Sequence, residues 1–376
     1  MRIGILGAGQ LGRMLALAGY PLGHSFLLYN FNGSASPGAG DVIDDTEQAY
    51  LDEFIAQVDV VTYELEHIPL NLVEEIAKHV EVLPNIEALA LGKDRVKEKT
   101  LFVDLGIPTA RFFVVTNQQE MDEAVESLGG MAIAKTATGG YDGKGQLLIQ
   151  SPADLHGAWE KLGSQRLIVE QKIEFDREIS IIACRGKDGD TGFYSPAENT
   201  HQNGILKFSI APAPELTNKL TEEAQAHISK LLERLDYVGV LALELFVSAE
   251  GLIANEIAPR VHNSGHWTMD GAVTSQFENH IRAVAGQPLG NTGTQASSCM
   301  LNIIGTYGDF NDLLRAPDAS CYHYGKSERP GRKLGHVNIV TESYDRLTES
   351  VEKCLAEAKR PNDLELFKSK LHSRKT

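Results

Sequence analysis

The chain has 376 residues, 42% of them hydrophobic, and a formal net charge of −16. At about 100–200 residues per domain, that length holds two or three domains with ample core. The acidic balance argues against a general binder of nucleic acid or of an anionic membrane, both of which need a basic surface, but leaves room for a small anionic ligand in a local basic pocket.

In chain order, residues 2–6 (RIGIL) read as a short buried strand that begins at once, without a cleavable signal. No apolar run approaches membrane-spanning length, so a cytoplasmic protein is expected. A glycine turn at 7–12 (GAGQLG) follows, then a helix over 11–19, a strand at 25–29, a strand at 58–63 and a helix at 70–79. Alternating strands and helices predict a parallel, doubly wound sheet to about residue 98. A helix at 94–105 opens a different pattern, with strands at 111–115, 131–136, 166–171, 177–183, 191–195 and 205–210. Strand following strand predicts a mixed or antiparallel sheet. A helix at 217–235 precedes a hairpin over 238–257, and 271–285 reads as helical. The Gly-, Gln-, Thr- and Ser-rich stretch 286–298 suggests a boundary, and the remainder carries a basic cluster from Lys326 to Lys333 and helix near 343–358. Cys184, Cys299, Cys321 and Cys354 form no C-x-x-C pair and read as inert thiols in a reducing compartment.

Three features carry chemistry. The first is Gly7-x-Gly9-x-x-Gly12, a dinucleotide-type fingerprint in the right strand–turn–helix context. An NAD enzyme would also need an acid at the end of the second strand. That strand ends Tyr29-Asn30 and the next acid is Asp41, which argues against a nicotinamide cofactor. Phosphate binding and a simple packing turn both stay open. The second is the loop 138–146 (TGGYDGKGQ), whose four glycines can fold N–H groups around phosphate oxygens, with Lys135 just upstream. It lacks the P-loop spacing and reads as a phosphate-covering lid.

The third is the hairpin itself. With Ser248 opposite Leu252, Glu244 would face Glu256 on one side of the sheet, Cβ atoms about 4.5–5.5 Å apart. A one-residue slip would put them on opposite faces. Opposed carboxylates between apolar strands call for compensation, and Mg2+ fits, with Asn255 adjacent. A Glu244 turned to solvent is the alternative.

Together the motifs G-x-G-Q-L-G-R-M at 7–14, T-Y-E-L-E-H-I at 62–68, K-D-R-V-x-E-K at 93–99, G-G-Y-D-G-K-G-Q at 139–146, N-E-I-A-P-R-V-H-N-S-G-H at 255–266 and Y-G-K…R-P-G-R-K-L-G-H at 324–336 resemble the ATP-grasp N5-carboxyaminoimidazole ribonucleotide synthetase family nearly end to end. The resemblance implies an α/β ATP-grasp fold. It would have a Rossmann-like domain at 1–98, an ATP-grasp domain at 99–290 with a lid around 112–172, and a small C-terminal domain at 291–376. It implies carboxylation of 5-aminoimidazole ribonucleotide by ATP and bicarbonate through carboxyphosphate, with Mg2+, in a homodimer.

By the same resemblance, Arg95, Lys135 and the loop Gly140, Tyr141, Asp142, Gly143, Lys144, Gly145 and Gln146 hold the ATP phosphates. Glu170, Gln171, Lys172 and Ile173 line the adenine slot, Glu178 takes the ribose, and His201 and Asn255 are further nucleotide contacts. Glu244 and Glu256 bind Mg2+. Tyr141, Asp142, Lys144, Arg260, His262 and Asn263 carry the chemistry, the last three facing bicarbonate and the aminoimidazole. Lys326, Arg332 and Lys333 grip the 5′-phosphate, with Gln10 and Leu11 of the glycine turn. Two departures stand out. Ala137 follows Thr136 where the family commonly has arginine, and Asn30-Phe31 ends the second strand where it commonly has Asp-Pro. A formate-activating ATP-grasp sibling, an oxidoreductase and a non-catalytic nucleotide binder are the rival readings.

Overall fold

The computed structural model describes residues 1–33, 38–140, 145–163, 166–308 and 310–372. Among these residues the strands form three sheets.

The first sheet is parallel, with strands β1 (Arg2–Leu6), β2 (Ser25–Asn30), β3 (Asp41–Asp44) and β4 (Val60–Tyr63) in the order β3-β2-β1-β4. The inner strand β1 and the edge strand β4 are both buried on their two faces, which is why RIGIL and VVTY read as largely apolar runs. β3 was not legible, because its sequence DVID has neither length nor continuous apolarity. The helix Gln10–Gly19 buries Leu11, Met14 and Leu15 in a core shared with Phe277 and Ile281 of the helix Gln276–Val284, locking this sheet to the centre of the molecule.

The second sheet is antiparallel: β5 (Phe112–Val115), β6 (Ala132–Thr136), β7 (Gln146–Ile149) and β8 (Leu167–Gln171), in the order β5-β8-β6-β7. Met121, Ala124 and Val125 of the helix Gln118–Ser127 pack on one side of it. The glycine loop joins β6 to β7.

The third sheet holds β9 (Arg177–Arg185), β10 (Thr191–Phe193), β11 (Ala197–Gln202), β12 (Ile205–Ala211), β13 (Gly239–Ser248), β14 (Gly251–Ala258), β15 (Ser297–Ile304), β16 (Ala319–His323) and β17 (Lys333–Thr341). Eight run in the order β14-β13-β9-β11-β12-β15-β17-β16, and β10 pairs with β9. Leu241, Leu243, Leu245 and Val247 alternate onto one face, against Ile228, Leu231 and Leu232 of the helix Asn218–Arg234. This frees Ala242, Glu244 and Phe246 for the other face. The sheet runs on past residue 291, since β15 pairs with both β12 and β17. Leu347, Val351, Cys354 and Leu355 of the helix Tyr344–Glu357 cover that part.

All four cysteines are free thiols, and Cys184, Cys299 and Cys354 are buried. No helix among the described residues is long and apolar enough to cross a membrane.

Candidate active site

The carboxylate hairpin reaches its geometry by an unexpected route. The turn pairs Ser248 with Gly251 rather than with Leu252. On a regular ladder that register would set Glu244 against Asn255. A bulge between Glu244 and Leu245, opposite Asn255, shifts the pairing by one, so Glu244 stands opposite Glu256 after all. Burial first and the Glu256 charge second push the Glu244 carboxyl up to about 7. His262 Nε2 lies 3.5 Å from the Glu244 carboxylate. Burial and then Arg260 hold His262 well below its ordinary pKa, so it is a weak counter-charge. The pair is thus under-compensated by the protein. Two hard oxygen donors with an amide beside them suit Mg2+ completed by phosphate oxygens and water. No third carboxylate, histidine or cysteine among the described residues is arranged to close a protein-only metal cage.

Around this pair lies a polar cavity of about 520 Å³. Its walls come from strands of the second and third sheets and from the helix and loop that follow β1 and β4 of the first. Of the residues expected at the site, Gln10, Leu11, Arg95, Lys135, Gly140, Gln146, Glu178, His201, Glu244, Asn255, Glu256, Arg260, His262, Asn263 and Lys333 line it. His201 Nδ1 sits 2.7 Å from the Glu178 carboxylate. Burial works against the charged imidazole, but Glu178 and Glu244 outweigh it and raise its pKa. Phe175 and Phe246, also in the wall, stack with ring centroids 4.4 Å apart and give the cavity one apolar corner.

At the opposite end, Arg260 pairs with Glu66 and donates to the Val261 carbonyl at 2.8 Å. Its buried Nε has no hydrogen-bond partner among the described residues. His262 Nδ1 is 2.8 Å from the Ser264 hydroxyl, and Asn263 exchanges amide hydrogen bonds with Asn302 at 3.1 and 2.7 Å.

Other expected residues lie elsewhere. Tyr141, Asp142, Gly143 and Lys144 fall outside the described residues. Gly145, Glu170, Gln171, Lys172, Ile173, Lys326 and Arg332 are described but are not part of the cavity wall. Glu170 is buried in β8 and turns its carboxylate to Lys135 at 3.0 Å. Lys326 contacts Gln10, and burial followed by the Arg332 charge pulls its pKa down to about 8. Arg332 bonds Ser327 Oγ at 2.8 Å on the surface.

The glycine turn is already occupied. Gly9 and Gly12 donate their backbone N–H groups to the two oxygens of the buried Glu64 carboxylate, the Gly12 bond being 2.5 Å. A Cβ at Gly7 or Gly9 would come within 2.6 or 2.7 Å of the Glu64 side chain, so these positions must be glycine for the carboxylate to enter. The turn binds an anion, but the anion is the chain's own, and those two N–H groups are not offered to a ribonucleotide phosphate.

Residues that sequence reasoning missed supply the framework. Arg95 does not reach out alone: its guanidinium donates to the Thr136, Gly139 and Gly140 carbonyls at the root of the glycine loop. Ala137 is buried there and accepts from the Arg95 N–H at 2.9 Å, while Arg166 pairs with Asp94 nearby. Two guanidinium groups therefore stand at the loop root although position 137 itself has none. Glu66, His67 and Glu98 also line the cavity. Glu98 accepts from the Ile257 N–H at 2.5 Å, and burial, then Glu256, push its carboxyl up to about 8. The signal available was the charge-dense string 93–99, which reads as a solvated helix face until its burial is seen.

Comparison with known proteins fits this geometry. A ribonucleotide synthetase preATP-grasp domain matches residues 1–93, an ATP-grasp domain 100–277, and a phosphoribosylaminoimidazole carboxylase C-terminal domain 298–350. The N5-carboxyaminoimidazole ribonucleotide synthase of Pseudomonas aeruginosa is 47% identical over 342 residues, covering 90% of this chain and 94% of that protein. This chain belongs to the N5-carboxyaminoimidazole ribonucleotide synthase family. The Escherichia coli member is 39% identical, covering 93% of this chain and 92% of its own. The Thermus thermophilus synthetase superposes with a TM-score of 0.90 at 42% identity, covering 94% of this chain and 98% of that one. An Aspergillus clavatus member of the family, solved in complex with ADP and 5-aminoimidazole ribonucleotide, gives 0.87 at 28% identity, covering 96% and 98%. The ATP-grasp fold with a preATP-grasp domain and a family-specific C-terminal domain is thereby established.

Proposed function

We propose that this chain carboxylates the exocyclic amine of 5-aminoimidazole ribonucleotide at the expense of ATP, giving N5-carboxyaminoimidazole ribonucleotide, ADP and phosphate. The observation that carries the reading is that one cavity joins a cationic end, an opposed carboxylate pair and an Arg–His–Asn end.

Bicarbonate attacks the γ-phosphorus, the bond to the β-phosphate oxygen breaks, and carboxyphosphate forms. Such a transfer needs positioning and charge neutralisation more than covalent catalysis. Lys135 directs its ammonium at the phosphates, and Arg95 holds the loop root above them. Glu178 takes the ribose hydroxyls and the Phe175–Phe246 pair flanks the nucleoside. Glu244 and Glu256 would hold Mg2+, which neutralises phosphate charge when bound. Arg260, with its unpartnered Nε, receives the bicarbonate oxyanion through its donor fork. As the new C–N bond forms, the carboxyl carbon's bond to the phosphate oxygen breaks and phosphate leaves; His262, kept neutral, accepts the proton lost by the amine, and Asn263, fixed by Asn302, orients the ring. Lys333, with Lys326 and Arg332 behind it, faces the 5′-phosphate. The roles expected of Tyr141, Asp142 and Lys144 as a cover over carboxyphosphate belong to this reading as well. So do a homodimer and a cytoplasmic setting.

ADP release measured with 5-aminoimidazole ribonucleotide, with and without bicarbonate, tests the reading. Glycinamide ribonucleotide with formate serves as the alternative pair. Release dependent on the aminoimidazole and bicarbonate together is the expected result. Release driven by the glycinamide and formate pair would assign the chain to a sibling reaction.

A further inference from the structure

Lys99 is a lysine with no access to the cavity, only 2% exposed. Its ammonium lies 3.0 Å from Thr109 Oγ1, 3.2 Å from the Ala254 carbonyl and 3.6 Å from Glu170 Oε2. The same Glu170 oxygen is 3.0 Å from Lys135 Nζ, and Lys135 is the lysine in the cavity wall. One buried carboxylate is therefore shared by two ammonium groups, one inside the protein and one facing the ligand. Burial opposes ionisation of Glu170, but Lys99 and then Lys135 outweigh it and keep its pKa low.

The charge count of this trio matters for an anion. Glu170 paired with Lys135 alone would be neutral, and a phosphate approaching Lys135 would meet a dipole. With Lys99 present the trio carries one net positive charge, and Lys135 is the only member that opens onto the cavity. We propose that Lys99 is a positioning residue for the nucleotide: by neutralising Glu170 from behind, it leaves the Lys135 charge free for the ATP phosphates. The inference rests on the ATP-dependent reading above. A purely mechanical role is the competing explanation, since Lys99 also ties the helix Arg95–Asp104 to β14 through Ala254.

The two roles separate by rescue. Lys99→Met keeps the length of the side chain and removes the charge. The Ala254 carbonyl would still receive the Thr109 hydroxyl at 2.8 Å, so no orphan is left there. Mg-ATP affinity is measured by calorimetry, with thermal melting alongside to confirm folding. Lys99→Met should weaken ATP by about tenfold or more, the scale of one charge-assisted contact. Adding Glu170→Gln to that variant should bring affinity back to within about threefold of wild type, because Lys135 is again uncompensated. Thr109→Val, which removes a neutral contact of Lys99 and leaves every charge, should bind ATP as wild type does. Unchanged affinity in Lys99→Met, or no rescue by Glu170→Gln, would overturn the proposal. Should Lys99→Met not fold, Glu170→Gln alone carries the test: it should tighten ATP, and weakening would overturn the proposal. Failure of the wild-type chain to bind Mg-ATP counts against the ATP-dependent function itself, not against the role of Lys99.

Discussion

Asp45 is buried at the end of β3 and gathers three donors: the Tyr29 hydroxyl at 2.6 Å and the Ala49 and Tyr50 N–H groups at 2.7 Å each. Burial alone would raise its pKa, but these bonds, Tyr29 first, outweigh it and lower it. A depressed folded pKa means that the stabilisation is present above the unfolded value of about 3.9 and is lost as pH falls through the folded one. Asp45→Asn should cost about 1–3 kcal/mol near neutral pH and flatten the acid limb of the stability curve, as thermal melts from about pH 7 to pH 3 would show. At the metal pair, Glu256→Gln should leave the fold intact and lower turnover on the order of 10²-fold or more at ordinary Mg2+ levels, read as kcat. Unchanged turnover would remove the metal assignment. These two glutamates were legible because a charged residue alternating within LALEL and ANEI breaks an apolar pattern that otherwise holds. Glu98 and Lys99 were not, because charges in a helix with polar neighbours look solvated, and nothing local announces that both are buried.

At the scale of elements, the bulge in β14 decides whether the hairpin can function. Asn255 is the inserted residue; paired on a regular ladder instead of bulged out, it would take the place opposite Glu244 and send Glu256 to the wrong face. An alanine inserted between Asn255 and Glu256, which carries Glu256 one position off the Glu244 face, should leave a hairpin that still pairs while ATP-dependent turnover drops on the order of 10²-fold or more, measured beside circular dichroism. An insertion variant with normal turnover would show that the opposition of Glu244 and Glu256 is not needed. The hairpin was visible in sequence from its apolar runs, but its register was not, since a bulge is a backbone event that composition does not encode. The glycine turn shows the same limit. Its spacing announced an anion site, yet the anion proved to be Glu64, 52 residues from Gly12 along the chain, which only folding brings near. Arg95→Ala should loosen the root of the glycine loop by freeing three carbonyls, and should weaken ATP by about tenfold while leaving the melting temperature within a few degrees.

For the whole molecule, the joining of β12 to β15 makes residues 297–341 part of the central sheet. A chain ending at residue 296 would bare the β12 edge and the apolar side chains that the helix Tyr344–Glu357 covers. It should aggregate or stay unfolded, and the intact chain should lose its central and C-terminal parts in one transition. A soluble, folded truncation with native circular dichroism would contradict this. Chain order suggested a boundary near 286–298 from its Gly, Gln, Thr and Ser content, but not that β12 and β15 pair across it, because that pairing is long-range. The cavity wall, too, draws on residues from Gln10 to Lys333. During synthesis, then, a ribosome-bound fragment lacks a complete pocket until Lys333 has emerged. A nascent chain shorter than that presents part of the wall without the rest, so the pocket is completed by long-range folding rather than by any one segment.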